Sequence, residues 1–314
     1  YYSSNNEEKE FTAQTQVAAD MTVYAKWVAT SGDKLPTADD WKFIDTFTPT
    51  EDYTLTARGE LGGDIVPKDK HLVIDKGVTL TIDETGFLNV YNAALSGEGS
   101  VVVENGGVLK VNANYNGGED SKVPTVSRIT VKHGGTLISE PTNYQNEGQV
   151  SETYFVCPIN NDKRTRIQTK NGASVTFELG NFDKENKPKM TISGDVIIPE
   201  GQTWYSMFDS EGGAIGIDMT LEKGTMTVAG ILRITSADGS GSSLTINKDA
   251  SVLVNGTMSV AGKGSVTGKS GSVTGAENAT LKITKGATVS AIAGVTSDKT
   301  TTYTWSGGAW TTGK

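Results

Sequence analysis

From residue 64 onward the chain keeps returning to one short pattern: a turn marked by Gly or Asn, then three to five residues in which apolar and polar side chains alternate. Gly77-Val78-Thr79-Leu80-Thr81-Ile82, Gly86-Phe87-Leu88-Asn89-Val90, Gly99-Ser100-Val101-Val102-Val103 and Gly107-Val108-Leu109-Lys110-Val111 open the series. It runs on through 135–138, 172–177, 224–228, 243–246, 250–254, 256–260 and 279–283. Alternation with a period of two predicts strands that carry their apolar residues on one face. Strands this short cannot bury that face alone, whereas the coils of a solenoid cover one another. The pattern therefore predicts an all-β chain built as a parallel β-solenoid (β-helix) with capping segments. The alternative is a β-sandwich, which calls for longer strands and turn signals every ~8–12 residues.

The two ends depart from the repeat. Residues 1–29 read as a polar, acidic turn over 5–10, then Phe11, then an alternating strand in which Met21, Val23, Ala25 and Trp27 share a face. Residues 30–60 read as a linker and N-terminal cap. Thr37 is placed to cap a short helix whose first turn carries Asp39 and Asp40, with Trp41 and Ile44 or Phe43 as its apolar side. The solenoid is assigned to 61–300, and 301–314 to a C-terminal cap whose Tyr303, Trp305 and Trp310 cover the last coil.

Composition sharpens this picture in three ways. Glycine stands at 37 of 314 residues with only 8 prolines, an excess that signals tight turns rather than a Pro- and Gly-rich linker. The net charge of −9 argues against a nucleic-acid partner or an anionic membrane surface. Cys157 is the single cysteine, so no intrachain disulfide and no multi-cysteine zinc site can form; it reads as a small buried apolar residue. No run approaches ~18 consecutive apolar residues, and the first 20 lack a signal-peptide pattern, so the chain reads as a processed or excised piece that inserts in no membrane.

Catalytic chemistry finds few residues. His71 and His133 are the only histidines, and neither a nucleophile elbow nor a phosphate-binding Gly-Lys-Ser/Thr loop is present. Lys132-His133-Gly134-Gly135 lacks the companions of a polygalacturonase site, so His133 reads as a turn residue. Asp39 and Asp40 read as helix-start charge, and Asn181, Asp183 and Glu185 as a solvated acidic loop rather than a calcium loop. No cofactor is expected, and the metal question stays open.

Three stretches interrupt the repeat: 112–125, 139–166 and 204–213. The second and third gather aromatic rings beside charged groups. Sugars offer CH faces to such rings while their hydroxyls pair with carboxylates and guanidinium groups. This predicts ligand binding by Tyr144, Tyr154, Phe155, Arg164 and Arg166 together with Trp204, Tyr205 and Asp209. The competing reading has Trp204 and Phe208 plugging the interior while the loop shields a coil edge.

Two resemblances supply context. Thr15-Gln16-Val17-Ala18-Ala19-Asp20-Met21-Thr22-Val23-Tyr24-Ala25-Lys26-Trp27 resembles the closing run of the Listeria-Bacteroides repeat, also called the internalin B-repeat. That likeness implies a secreted or wall-attached multidomain bacterial parent, with residues 1–29 the end of a small β-rich surface module. The phrase 64–74 followed by 77–82 looks like the opening coils of right-handed, pectate-lyase-like parallel β-helices. The expectation is a non-catalytic extracellular adhesion or binding module, monomeric, contacting glycan or a host or matrix protein. The alternatives are a polysaccharide lyase or glycoside hydrolase, and a structural stalk.

Overall fold

The computed structural model describes residues 2–4, 7–9, 14, 28–32, 34–56, 66, 69–90, 93–112, 124–140, 168–180, 185–208, 215–235 and 241–312. Their order is a right-handed β-helix of stacked coils. In the first block each complete coil makes three short strands. His71–Val73, Thr79–Ile82 and Phe87–Asn89 form one coil, and Ala94–Ser96, Ser100–Val103 and Val108–Asn112 form the next. The ladders between them are parallel, with Leu72 beside Leu95, Leu80 beside Val101, and Leu88 beside Leu109. Arg128–Lys132 and Thr136–Glu140 continue the stack.

Pairing begins earlier than the sequence pattern suggests. Thr46–Pro49 pairs in parallel with His71–Val73, and Tyr53–Leu55 with Thr79–Ile82. Residues 46–55, expected as linker and cap, are therefore a coil. Above them sits the cap proper, a 3-10 turn at Asp40–Lys42 that buries Trp41 against Phe47. Thr37 and Asp40 hold it reciprocally. The Asp40 carboxylate accepts from Thr37 N (3.0 Å) and Oγ1 (2.7 Å), and Thr37 Oγ1 accepts from Asp40 N at 3.3 Å. The expected helix is only this one turn, because Pro36 precedes it and the coil strand starts at Thr46.

A second block follows the same plan with longer strands. Lys189–Ile198, Asp218–Val228 and Ser243–Val254 each cover two faces, and Thr203–Tyr205, Ile231–Ile234 and Thr257–Val260 cover the third. Ser265–Gly268, Val273–Gly275 and Thr280–Ile283 make the last coil. A hairpin follows, whose first strand Thr301–Ser306 runs antiparallel to Thr280–Ile283 and whose second, Ala309–Thr312, runs antiparallel to the first. Its two-residue turn, Gly307-Gly308, needs positive φ at both positions (59° and 85°), which glycine adopts without strain.

Between the blocks lies one strand of opposite direction. Gln168–Glu178 is antiparallel both to Arg128–Lys132 before it and to Lys189–Ile198 after it. Register is nonetheless kept. The inward row Leu80, Val101, Ile129, Phe177, Met190, Met219, Leu244 and Val266 passes through the inverted strand without a break, all of it buried. Charge is compatible with this direction: Arg128 meets Glu178 at 3.3 Å, and Glu178 lies opposite Lys189 on its other side, contacts that are half-exposed and worth at most about 1 kcal/mol. A strand laid the other way would lose both contacts.

The glycine excess has a packing cause at the corners. A Cβ on Gly107 would sit on the Ile82 carbonyl oxygen, and one on Gly135 would lie 2.7 Å from the Val103 carbonyl oxygen. Coils stack at ~4.8 Å, so the backbone of one turn occupies the space where a side chain of the next would go.

Candidate functional site

The repeat places Thr at outward positions where hydroxyls can stack in ladders, and the outer face of the largest sheet carries such a row. Thr54, Thr81, Val102, Thr130, Thr176, Thr191, Thr220, Thr245 and Thr267 are register neighbours in turn. Each Thr offers a hydroxyl and a methyl at intervals of ~4.8 Å. Some hydroxyls meet each other, as Thr130 and Thr176 do at 3.1 Å and Thr245 and Thr267 at 3.4 Å. Charges flank the row at its middle, where Glu104 and Lys132 pair at 2.5 Å, and Lys187 reaches Asp218 at 2.6 Å and the Gly241 carbonyl at 3.0 Å. Which threonines are neighbours could be found only once the strands were aligned, since 15 to 46 residues separate successive members of the row.

The two longer interruptions join the scaffold at one corner. Segment 113–123 leaves from Asn112, segment 141–167 leaves from Glu140, and Asn112 and Glu140 are register partners at the ends of neighbouring strands. Their points of departure are therefore one strand spacing apart, ~4.8 Å. Tyr144, Tyr154, Phe155, Arg164 and Arg166 belong to the second segment and lie outside the described residues, as do Asp209, Asp183, Cys157 and the run 15–27. Of the third stretch, the structure places Trp204 in the core, 3% exposed, in the inward row with Leu232, Met258, Leu281 and Tyr303. Its ring belongs to the scaffold and is not presented at the surface. Tyr205 follows it in the strand Thr203–Tyr205. Trp204 Nε1 and Gln202 Oε1 are both buried without a hydrogen-bond partner among the described residues.

The remaining chemistry-bearing side chains have structural partners. Asp39 pairs with Lys42 at 2.7 Å, and Asp40 caps its turn, so both act as helix-start charge. His133 lies exposed in the turn after Lys132. His71 Nε2 and Ser96 Oγ are 2.7 Å apart, a bond from coil to coil on the outer side. Among the described residues no group of three or more His, Cys, Asp or Glu is placed to hold a metal ion. No helix among them is long and apolar enough to cross a membrane. Tyr53 has its phenol pKa raised by burial against the second coil.

The C-terminal aromatics act as a cap. Trp310 Nε1 donates to the Val273 carbonyl at 3.1 Å, and its ring meets Trp305 edge-on at 5.2 Å between centroids. Tyr303 lies opposite Leu281 and continues the inward row. No family model, no curated protein and no solved structure matches the chain.

Proposed function

We propose that the chain is a non-catalytic, extracellular binding or adhesion module of a multidomain bacterial surface protein, in which the β-helix is a rigid mount for inserted recognition segments. The observation that carries this reading is the pairing of Asn112 with Glu140, which roots the two longer insertions side by side on one corner of the stack. Recognition residues concentrate in chain raised on a rigid scaffold, because the scaffold relieves them of packing duties. The segment leaving Glu140 holds Tyr144, Tyr154, Phe155, Arg164 and Arg166, a mixture of rings and guanidinium groups that suits glycan or a polar protein surface.

The test is a glycan and matrix-protein array on the purified chain, repeated with Tyr144→Ala and Tyr154→Ala together. The expected outcome is binding by the parent that falls at least tenfold in the double variant while its melting temperature stays within a few degrees. Binding that survives the double substitution, or a double variant that unfolds, refutes the recognition role of these rings.

A further inference from the structure

We propose that residues 139–188 are a cassette set between two register-matched solenoid blocks, and that the blocks pair directly with each other when the cassette is absent. Polarity gives the first argument. Arg128–Lys132 and Lys189–Ile198 are each antiparallel to the inverted strand, so they run in the same direction as one another and already have the relation that parallel coils require. Each also pairs in parallel with the next coil of its own block.

Register gives the second argument. Through the inverted strand, Ile129 corresponds to Met190, Thr130 to Thr191, and Val131 to Ile192. Brought together, the two strands would place apolar beside apolar inside and Thr beside Thr outside, with no residue to shift. The inverted strand adds one layer without altering the frame on either side. Two mismatches remain: Arg128 and Lys189, now separated by Glu178, would become neighbours, and the corner from Val131 to Leu137 is two residues longer than that from Ile192 to Val196, an even difference that a bulge absorbs without exchanging inside for outside. Glu178 therefore serves as the counter-charge that the inverted layer brings with it.

The chain itself supplies the replacement part. One coil earlier, residues 90–99 carry it from Phe87–Asn89 to Ser100–Val103. Phe87 aligns with Val108 and so with Thr136, while Ser100 aligns with Arg128 and so, through Glu178, with Lys189. Replacing 139–188 by a copy of 90–99 keeps every strand in frame.

The experiment compares that replacement variant with the full chain carrying Cys157→Ser. The variant is expected to unfold in one cooperative transition with a β-rich circular dichroism spectrum. Thr130→Cys with Thr191→Cys should form a disulfide in it. In the full chain the same two positions lie two strand spacings apart, about 9.6 Å, too far to bridge, whereas Thr130→Cys with Thr176→Cys should oxidise. Lys189→Glu should raise the melting temperature of the variant, by pairing with Arg128, and lower that of the full chain, by opposing Glu178. A variant without a cooperative fold overturns the proposal, and so does a folded variant whose 130–191 pair stays reduced or whose Lys189→Glu effect keeps the full chain's sign. None of these readouts involves a ligand, so this proposal and the recognition role of Tyr144 and Tyr154 fail separately.

Discussion

The two blocks solve the same corner differently. In the first, the step from the last inward residue of one face to the first inward residue of the next is constant: Ile82 to Leu88, Val103 to Leu109, Val131 to Leu137. Each step is a tight turn ending in Gly86, Gly107 or Gly135, and each turn breaks the strand. In the second, the step between register-aligned inward residues lengthens by one residue per coil, from Ile192 to Val196, from Leu221 to Met226, and from Ile246 to Val252, with Ala250 buried just ahead of Val252. Each extra residue appears as a bulge in the ladder, between Ile192 and Ser193 and between Leu221 and Lys223, and the strand runs on through the corner. Both blocks keep glycine where the corner backbones touch, at Gly86, Gly107 and Gly135 in the first and at Gly194 and Gly224 in the second, so the difference between them lies in corner length. A corner that varies in length sends its surplus outward, where Glu222, Lys223 and Lys248 are exposed.

This contrast can be broken most severely from inside the second block. Trp204→Ala should cost about 3–5 kcal/mol by emptying the interior of its first coil, measured by chemical denaturation. Trp204→Phe should cost clearly less, because it also removes an N–H that has no partner. Equal losses would mean that the indole N–H is satisfied in solution. Next comes the corner itself. Gly107→Ala should destabilise by roughly 3 kcal/mol, since the coil below leaves no room for a methyl group, whereas Lys223→Ala, on the outward surplus of the second block's corner, should fall within about 0.5 kcal/mol of the parent. A tolerant Gly107 would mean that the corner backbones do not touch there.

Two smaller effects sharpen the picture at the start of the first block. Thr37→Ala should lose about 1 kcal/mol, the usual worth of a cap, and its melting transition should remain single. The raised pKa of Tyr53 has a defined sign. Below the ordinary tyrosine value of about 10 both folded and unfolded states keep the proton, so stability is insensitive to this group. Above it the unfolded state ionises first, and stability falls as pH rises toward the folded value. Tyr53→Phe should flatten that part of the alkaline unfolding curve, and a curve that does not change would place the phenol in water.

How much of this could be read beforehand depended on whether the information was local. The strands Thr79–Ile82, Phe87–Asn89, Ser100–Val103 and Thr257–Val260 follow from alternation after glycine, and the cap around Trp41 from Thr37 and the acids behind it. The inverted strand did not follow, because alternation has no direction. Ser174-Val175-Thr176-Phe177-Glu178 presents the same in-and-out pattern read from either end, and the charges that match Glu178, on Arg128 and Lys189, lie 50 and 11 residues away in the chain. The coil at 46–55 was missed because Thr46–Pro49 and Tyr53–Leu55 lack the preceding glycine. As for the site, Trp204 among Tyr205, Met207 and Phe208 has the composition of a sugar platform, and sequence alone does not say that its alternation points the ring inward.

The antiparallel hairpin at the C-terminal end bears on self-assembly. A coil stacked in parallel offers the next coil an edge of matching direction, which is a template for filament growth as well as for folding. Thr301–Ser306 reverses that direction and Ala309–Thr312 restores it, so direction alone leaves the edge usable; what fills the end is Tyr303 and Trp310, whose buried rings occupy interior places a newcomer's apolar residues would need. Whatever guard the last two strands provide against templating a second copy therefore lies in these aromatic side chains and not in the direction of the backbone.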